Sequence, residues 1–291
     1  MSGHTKRVRS VAFSPDGKIT LVTMSGHIEI REGQRTKTIE TPHIFYSVNV
    51  SPDGKTLAYL AMKRPGFEAD RYYIKLRNWA DGKERILAEK WDRSPSSITW
   101  GPKGKTLYVN AGNLGQKSLF AIDIKSGKVK TLVEKGWIGS PEIAGNKKKH
   151  KIIFGMDHLK SPVELYSVDP KTKKVLPVTQ INKEKLAATK MGEPEQFTFK
   201  GWNDETVYCY VVKPIDFDAN KKYPVAFLIH GGPQGSFGNH FHYRWNPQAY
   251  VGAGYAAVMV DFHGSTGYGQ KFTDSITGDW GGKPLVDLQK G

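Results

Sequence analysis

Three stretches of this chain repeat one plan: AFSPDGKITLVT at 12–23, NVSPDGKTLAYL at 49–60 and TWGPKGKTLYVN at 99–110. Each is a short apolar strand, a turn built on Pro-x-Gly-Lys, and a second strand of alternating apolar residues. Proline presets φ at the second turn position and glycine tolerates positive φ, so each unit is a β-hairpin with a physical cause. Ser14 and Ser51 are 37 residues apart, and Ser51 and Gly101 are 50 apart. Such irregular spacing suits propeller blades with variable outer loops better than a solenoid.

A second hairpin follows each first one. It is HIEIRE and RTKTIE around Gly33 in the first unit, and YYIKLRNW, Asp81-Gly82 and ERILAE in the second. In the third it is LFAIDI, Ser126-Gly127 and KVKTLV. A degenerate fourth unit reads IAGNKKKHKIIFG, VELYSVD and KVLPVT. The pattern predicts about four blades of four strands in residues 7–180, against the alternative of a generic antiparallel sandwich.

The last third changes character. Residues 181–195 show no strand alternation and read as a connection, after which EQFTFKG and ETVYCYVV form a strand pair. The unbroken apolar run Val225 to Ile229 then stops at His-Gly-Gly-Pro. A strand without polar alternation predicts burial on both faces, as in a parallel sheet. A helix around Pro247 to Val251 and a second apolar strand at 255–260 complete a βαβ unit. The charge balance shifts near the same place: residues 1–222 hold 39 basic and 24 acidic residues, whereas 223–291 hold four of each. The composition shift marks a boundary near Lys222, and the loss of strand alternation sets the expected domains at 1–185 and 186–291, with the linker at about 181–195.

The SPDG units, HGGPQGS at 230–236, DFHGSTGYGQ at 261–270 and DWGGKPLVDLQKG at 279–291 together resemble the prolyl oligopeptidase family of serine peptidases, in its dipeptidyl-peptidase and acylaminoacyl-peptidase branch. The resemblance implies a partial β-propeller followed by the N-terminal part of an α/β-hydrolase domain. It further implies seven or eight blades in the whole protein and a nucleophilic serine on a G-x-S-x-G elbow, followed by the acid and the histidine. The chain contains no G-x-S-x-G, and its last histidine is His263. The expectation is a chain cut at both ends, its triad beyond Gly291, and no catalysis from these residues alone.

HGGP fits the loop that gives an esterase-type enzyme its second oxyanion donor. By resemblance the donor is the N–H of Gly232, with Gly231 as the fallback, although a tight turn needing glycine for geometry alone would look the same. His230, Pro233, Gln234 and His263 are candidates for the substrate pocket. His230 itself reads as an anchor of the loop, and His263 stands where the family usually has arginine. The implied substrates are short peptides and no cofactor is implied. The rival reading is a non-enzymatic propeller that binds a protein partner, for which an oxyanion loop would have no use.

Other chemistries fit less well. The net charge of +15 suggests nucleic acid, but the lysines recur singly at turns, and KKKHK at 147–151 reads as a solvated hairpin tip. His240, His242 and His263 lack a carboxylate pattern for zinc. GSTGYG at 264–269 lacks the Lys-Ser/Thr end of a phosphate loop. Cys209 is the lone cysteine and sits in a strand-like run, as a buried apolar residue would. No run approaches the ~18 apolar residues of a membrane span, and MSGHTKRVRS is not a signal peptide, so the compartment stays unassigned.

Overall fold

The computed structural model describes residues 8–13, 19–23, 27–32, 35–40, 45–64 and 66–291. The first sheet is a meander of β1 (Val8–Phe13), β2 (Ile19–Thr23), β3 (His27–Glu32) and β4 (Arg35–Glu40). The second repeats that order with β5 (Phe45–Val50), β6 (Thr56–Met62), β7 (Tyr72–Asn78) and β8 (Glu84–Leu87). Then come β9 (Pro95–Trp100), β10 (Thr106–Asn113), β11 (Gln116–Asp123) and β12 (Val129–Val133). A two-residue strand, β13 (Trp137–Ile138), leads to β14 (Glu142–Gly145), β15 (His150–His158), β16 (Ser161–Val168) and β17 (Val175–Pro177).

The repeated turns have the geometry their residues demand. Ser51 N–H donates to Thr56 O at 2.8 Å and Gly101 N–H to Thr106 O at 2.8 Å. Gly54 and Gly104 take φ of +73° and +66°, which glycine adopts without steric penalty. The matching turn at 14–18 and Gly33 lie outside the described residues.

Alternation along the strands explains why the sheets stack. Leu107 and Val109 face one way, packing with Ile98 and Trp100 against Ala58, Leu60, Ile74 and Leu76 of the preceding sheet. Tyr108 and Leu119 face the other way, onto Ile138, Ile152, Phe154 and Val168. Each central strand is thus buried on both faces between successive sheets, the arrangement that stacked antiparallel meanders require. One expectation needs correction. The third and fourth sets are not separate sheets, because β13 pairs in parallel with β11 and antiparallel with β15, merging them into nine strands. None of the described sheets closes on itself.

The connection at 181–195 contains a short helix, α1 (Lys183–Ala187), and its end already belongs to the next sheet. That sheet holds β18 (Pro194–Lys200), β19 (Thr206–Val212), β20 (Val225–Leu228) and, after α2 (Pro247–Gly252), β21 (Ala256–Asp261). The order is β18-β19-β21-β20, with β20 and β21 parallel. α3 (Gln270–Asp274) and α4 (Lys283–Lys290) complete the described elements.

The strand at 225–229 is not covered on both faces. Val225 is 59% exposed and Ile229 54% exposed, because β20 is the edge strand and nothing among the described residues lies over its outer face. The interior lies on β19 and β21, where Val207, Cys209 and Val260 pack with Phe262. Burial pushes the Cys209 thiol up to about 12, which keeps it protonated and inert. Among the described residues no helix is long and apolar enough to cross a membrane.

Candidate active site at the loop after β20

Because β20 and β21 run parallel, the loops at their C-terminal ends emerge side by side. The first carries His230 to Gln234 and the second Asp261 to Ser265. His230 joins them. Its ring stacks on Phe262 at 4.4 Å, its Nε2 lies 2.8 Å from Ser265 Oγ, and its Nδ1 lies 3.1 Å from Gly231 O. Asp261 holds the same two loops from below: it accepts from Ser236 Oγ at 2.5 Å, Tyr268 OH at 2.5 Å and Phe237 N–H at 3.1 Å. Burial pushes its carboxyl up, against the opposing pull of the Ser236 and Tyr268 hydroxyls.

Within this frame the two glycines differ. Gly232 has φ of +137°, and a Cβ there would stand 2.6 Å from Gln234 N, so only glycine fits. A Cβ on Gly231 would meet nothing within 4 Å. Neither N–H donates to an acceptor among the described residues. Both residues are exposed.

Gly232 and Gln234 line a cavity of about 620 Å³, whose other walls are Phe67, Glu68, Ala69, Thr277, Gly278 and Trp280. A second cavity of about 260 Å³ shares Glu68, Ala69 and Gln234 and adds Arg71, Asp92 and Gln270. His230, Gly231 and Pro233 belong to the loop but line neither cavity.

His263 does not face the cavities. It is 0% exposed, with Nδ1 2.6 Å from Asp287 Oδ2, Nε2 3.3 Å from Glu205 Oε2 and its ring stacked on Phe272. Burial alone would disfavour its charged form, but the Asp287 and Glu205 carboxylates outweigh that and raise its pKa. Its position as a pocket residue is therefore replaced by a structural one, tying the loop after β21 to α4. His240 likewise pairs with Asp157 at 2.8 Å and stacks on Trp137. Among the described residues no group of three or more His, Cys, Asp or Glu is arranged to hold a metal.

The opposite wall was not foreseen from sequence. The connection from β6 to β7, described at 63–64 and 66–71, is clamped onto α3. Asp70 accepts from Arg64 N–H at 2.7 Å, and Arg64 Nη2 also donates to Asp274 at 2.9 Å. Gln270 accepts from Arg71 N–H at 2.7 Å and donates to Ala69 O at 2.8 Å. These bonds fix the backbone on both sides of Glu68, whose carboxylate has no hydrogen-bond or ion-pair partner among the described residues. The only signal in the sequence was the charge density of RPGFEADR between two paired strands.

A second contact comes from the β10–β11 hairpin tip. Leu114 N–H donates to Gly267 O at 3.0 Å, Asn239 N–H to Gly115 O at 2.7 Å and Gln196 Nε2 to Leu114 O at 2.7 Å. The tip is thereby pegged against the loops that carry the candidate site.

Residues 241–291 match the model of the prolyl oligopeptidase family. The chain is 36% identical over 252 residues to dipeptidyl-peptidase 5 of Schizosaccharomyces pombe, covering 84% of this chain and 35% of that protein. Dipeptidyl-peptidase 5 of Arthroderma otae is 36% identical over 82% of this chain and 33% of its own length. The chain belongs to the prolyl oligopeptidase family. It spans about a third of the length of the curated relatives it matches. Among solved structures, the acylaminoacyl peptidase of Pyrococcus horikoshii superposes with a TM-score of 0.75 at 20% identity, over 94% of this chain and 43% of that one. A puromycin hydrolase superposes with a TM-score of 0.67 at 17% identity, over 96% and 45%. These likenesses show the prolyl oligopeptidase fold of propeller and hydrolase domains, of which the described sheets are a part.

Proposed function

We propose that this chain supplies the oxyanion loop and the propeller-side wall of the peptide cleft in a serine peptidase that removes dipeptides from free N-termini. The four meanders are then four blades in a domain at 1–185, and 186–291 begins the hydrolase domain, with the linker at about 181–195. One observation carries the reading: Gly232 of the HGGP loop and Glu68 of the β6–β7 connection line the same cavity.

The chemistry follows from that juxtaposition. When a serine oxygen attacks the scissile carbonyl, negative charge gathers on the carbonyl oxygen, and a fixed N–H that needs no reorganisation stabilises it. The Gly232 N–H is uncommitted and beside the cavity. Gly231 remains the fallback, and His230 and Pro233 shape the loop. The nucleophile would come from a G-x-S-x-G elbow, with the acid and the histidine base following it in order, and these 291 residues contain no such elbow. Across the cleft, the unpartnered Glu68 carboxylate suits a peptide ammonium and disfavours an acylated terminus, while Phe67 and Trp280 offer apolar contact. No cofactor enters the reaction.

The test is hydrolysis by the full gene product. Release of dipeptides from unblocked chromogenic peptides, abolished by a serine-directed fluorophosphonate, supports the reading. Failure of that probe to label the full product, or preference for acylated peptides, counts against it.

A further inference from the structure

We propose that the basic cavity formed by the turns at 101–105, 146–150 and 169–174 is a binding site for a phosphate chain, remote from the peptide cleft and independent of it. The cavity has a volume of about 420 Å³ and is lined by Lys103, Lys147, Lys148, Lys149 and Lys171 around His150, Tyr108 and Asp169. The three turns belong to two neighbouring sets of strands, so residues far apart in sequence converge on one concavity.

The charge there is uncompensated. None of the five lysines lies within 4 Å of a carboxylate among the described residues, whereas Lys63, Lys160 and Lys213 elsewhere each find one. The only carboxylate in the wall, Asp169, is already committed to the backbone N–H groups of Lys171 at 2.8 Å and Thr172 at 3.1 Å. Gathering like charges in one concavity is unfavourable unless an anion neutralises them, and a multiply charged anion does so with the least loss of freedom.

The floor selects the anion. Tyr108 is 4% exposed, so its ring offers no face on which a base could stack, while its hydroxyl and the His150 ring form a hydrogen-bonded pair 2.9 Å apart. This favours a bare phosphate chain over a nucleotide or a nucleic-acid strand. His150 adds a second sign. Burial lowers its pKa, Asp169 opposes that and Lys103 and Lys171 add to it, so an anion bound beside the ring would raise it.

Calorimetric titration with inorganic triphosphate tests this, alongside NMR titration of the His150 ring. The expected result is saturable one-to-one binding that weakens with salt, raises the His150 pKa, and falls about tenfold or more in Lys103→Gln/Lys171→Gln. The control Lys55→Gln/Lys90→Gln, with the same loss of charge at exposed turns elsewhere, should change affinity less than about twofold. Equal affinity for triphosphate and ATP supports recognition of the phosphate chain itself. No saturable binding, equal losses in both double variants, an unmoved His150 pKa, or tighter binding of a single-stranded oligonucleotide than of triphosphate would each overturn the proposal.

Discussion

His263 places its Nδ1 2.6 Å from Asp287 Oδ2 with both side chains excluded from solvent, and this contact ties the loop after β21 to α4. Asp287 also accepts from the backbone N–H of His263 and of Trp202, each at 2.7 Å. The raised His263 pKa sets the direction of the pH dependence. The stabilisation is fully present below the ordinary value of 6.5 and is lost as pH rises through the higher folded-state value. The melting temperature of the protein minus that of His263→Gln should therefore shrink as pH rises above 6.5. A difference constant across that window would show that the pair is not charged. Asp287→Ala, which leaves three donors without an acceptor, should cost about 3 kcal/mol or more in urea denaturation.

The two glycines of the candidate oxyanion loop should separate under substitution. Gly232→Ala meets the Gln234 backbone and an unfavourable φ, so a cost of about 1–3 kcal/mol is expected. Gly231→Ala points into open space and should stay within about 0.5 kcal/mol of the parent. Chemical denaturation of the two variants checks the contrast, and similar losses would mean the loop geometry differs from that described.

Glu68 should act on substrate choice rather than on folding. In the full gene product, Glu68→Gln is expected to raise KM for peptides with a free N-terminus about tenfold or more and to leave N-acetylated peptides unaffected. Circular dichroism melts of the variant should match the parent, because Glu68 is exposed and has no partner to lose. Equal loss on both substrate classes would remove its role as the ammonium anchor.

The pegged hairpin should be sensitive at Gly115. It has φ of +76°, and a Cβ there would lie 2.7 Å from Gln196 Nε2 and 3.0 Å from a Tyr210 ring carbon. Gly115→Ala is expected to cost about 1–3 kcal/mol and to speed amide exchange at Leu114 and Asn239 together. Faster exchange at Leu114 alone would show that the tip does not hold the two regions jointly.

Much of this architecture is legible in the sequence because its causes are local. The Pro-x-Gly turns at Ser51 and Gly101, the strand pair at 194–212 and the helix beginning at Pro247 all follow from dihedral preference and period. The features that escaped depend on what lies across space. The apolar run at 225–229 says nothing about whether a neighbour covers it, and Val225 and Ile229 are exposed on the edge strand. His263 looks like a pocket residue until Asp287, 24 positions later, is found against it. The wall at Phe67 and Glu68 exists only because Arg64, Asp70 and Gln270 clamp distant segments together. β13 joins two sets of strands through two residues, too few to carry a period.

The proposed chemistry depends on the Gly232 N–H as an oxyanion donor, and one atom tests it. Proline cannot adopt φ of +137°, so Gly232→Pro would confuse loss of the donor with loss of the loop. Replacing the Gly231–Gly232 amide by an ester in semisynthetic full-length protein removes the N–H and keeps the glycine backbone. The ester should fold, bind substrate with unchanged KM and lose about 10² to 10³ in acylation rate. An ester variant that acylates within about threefold of the parent would contradict the assignment.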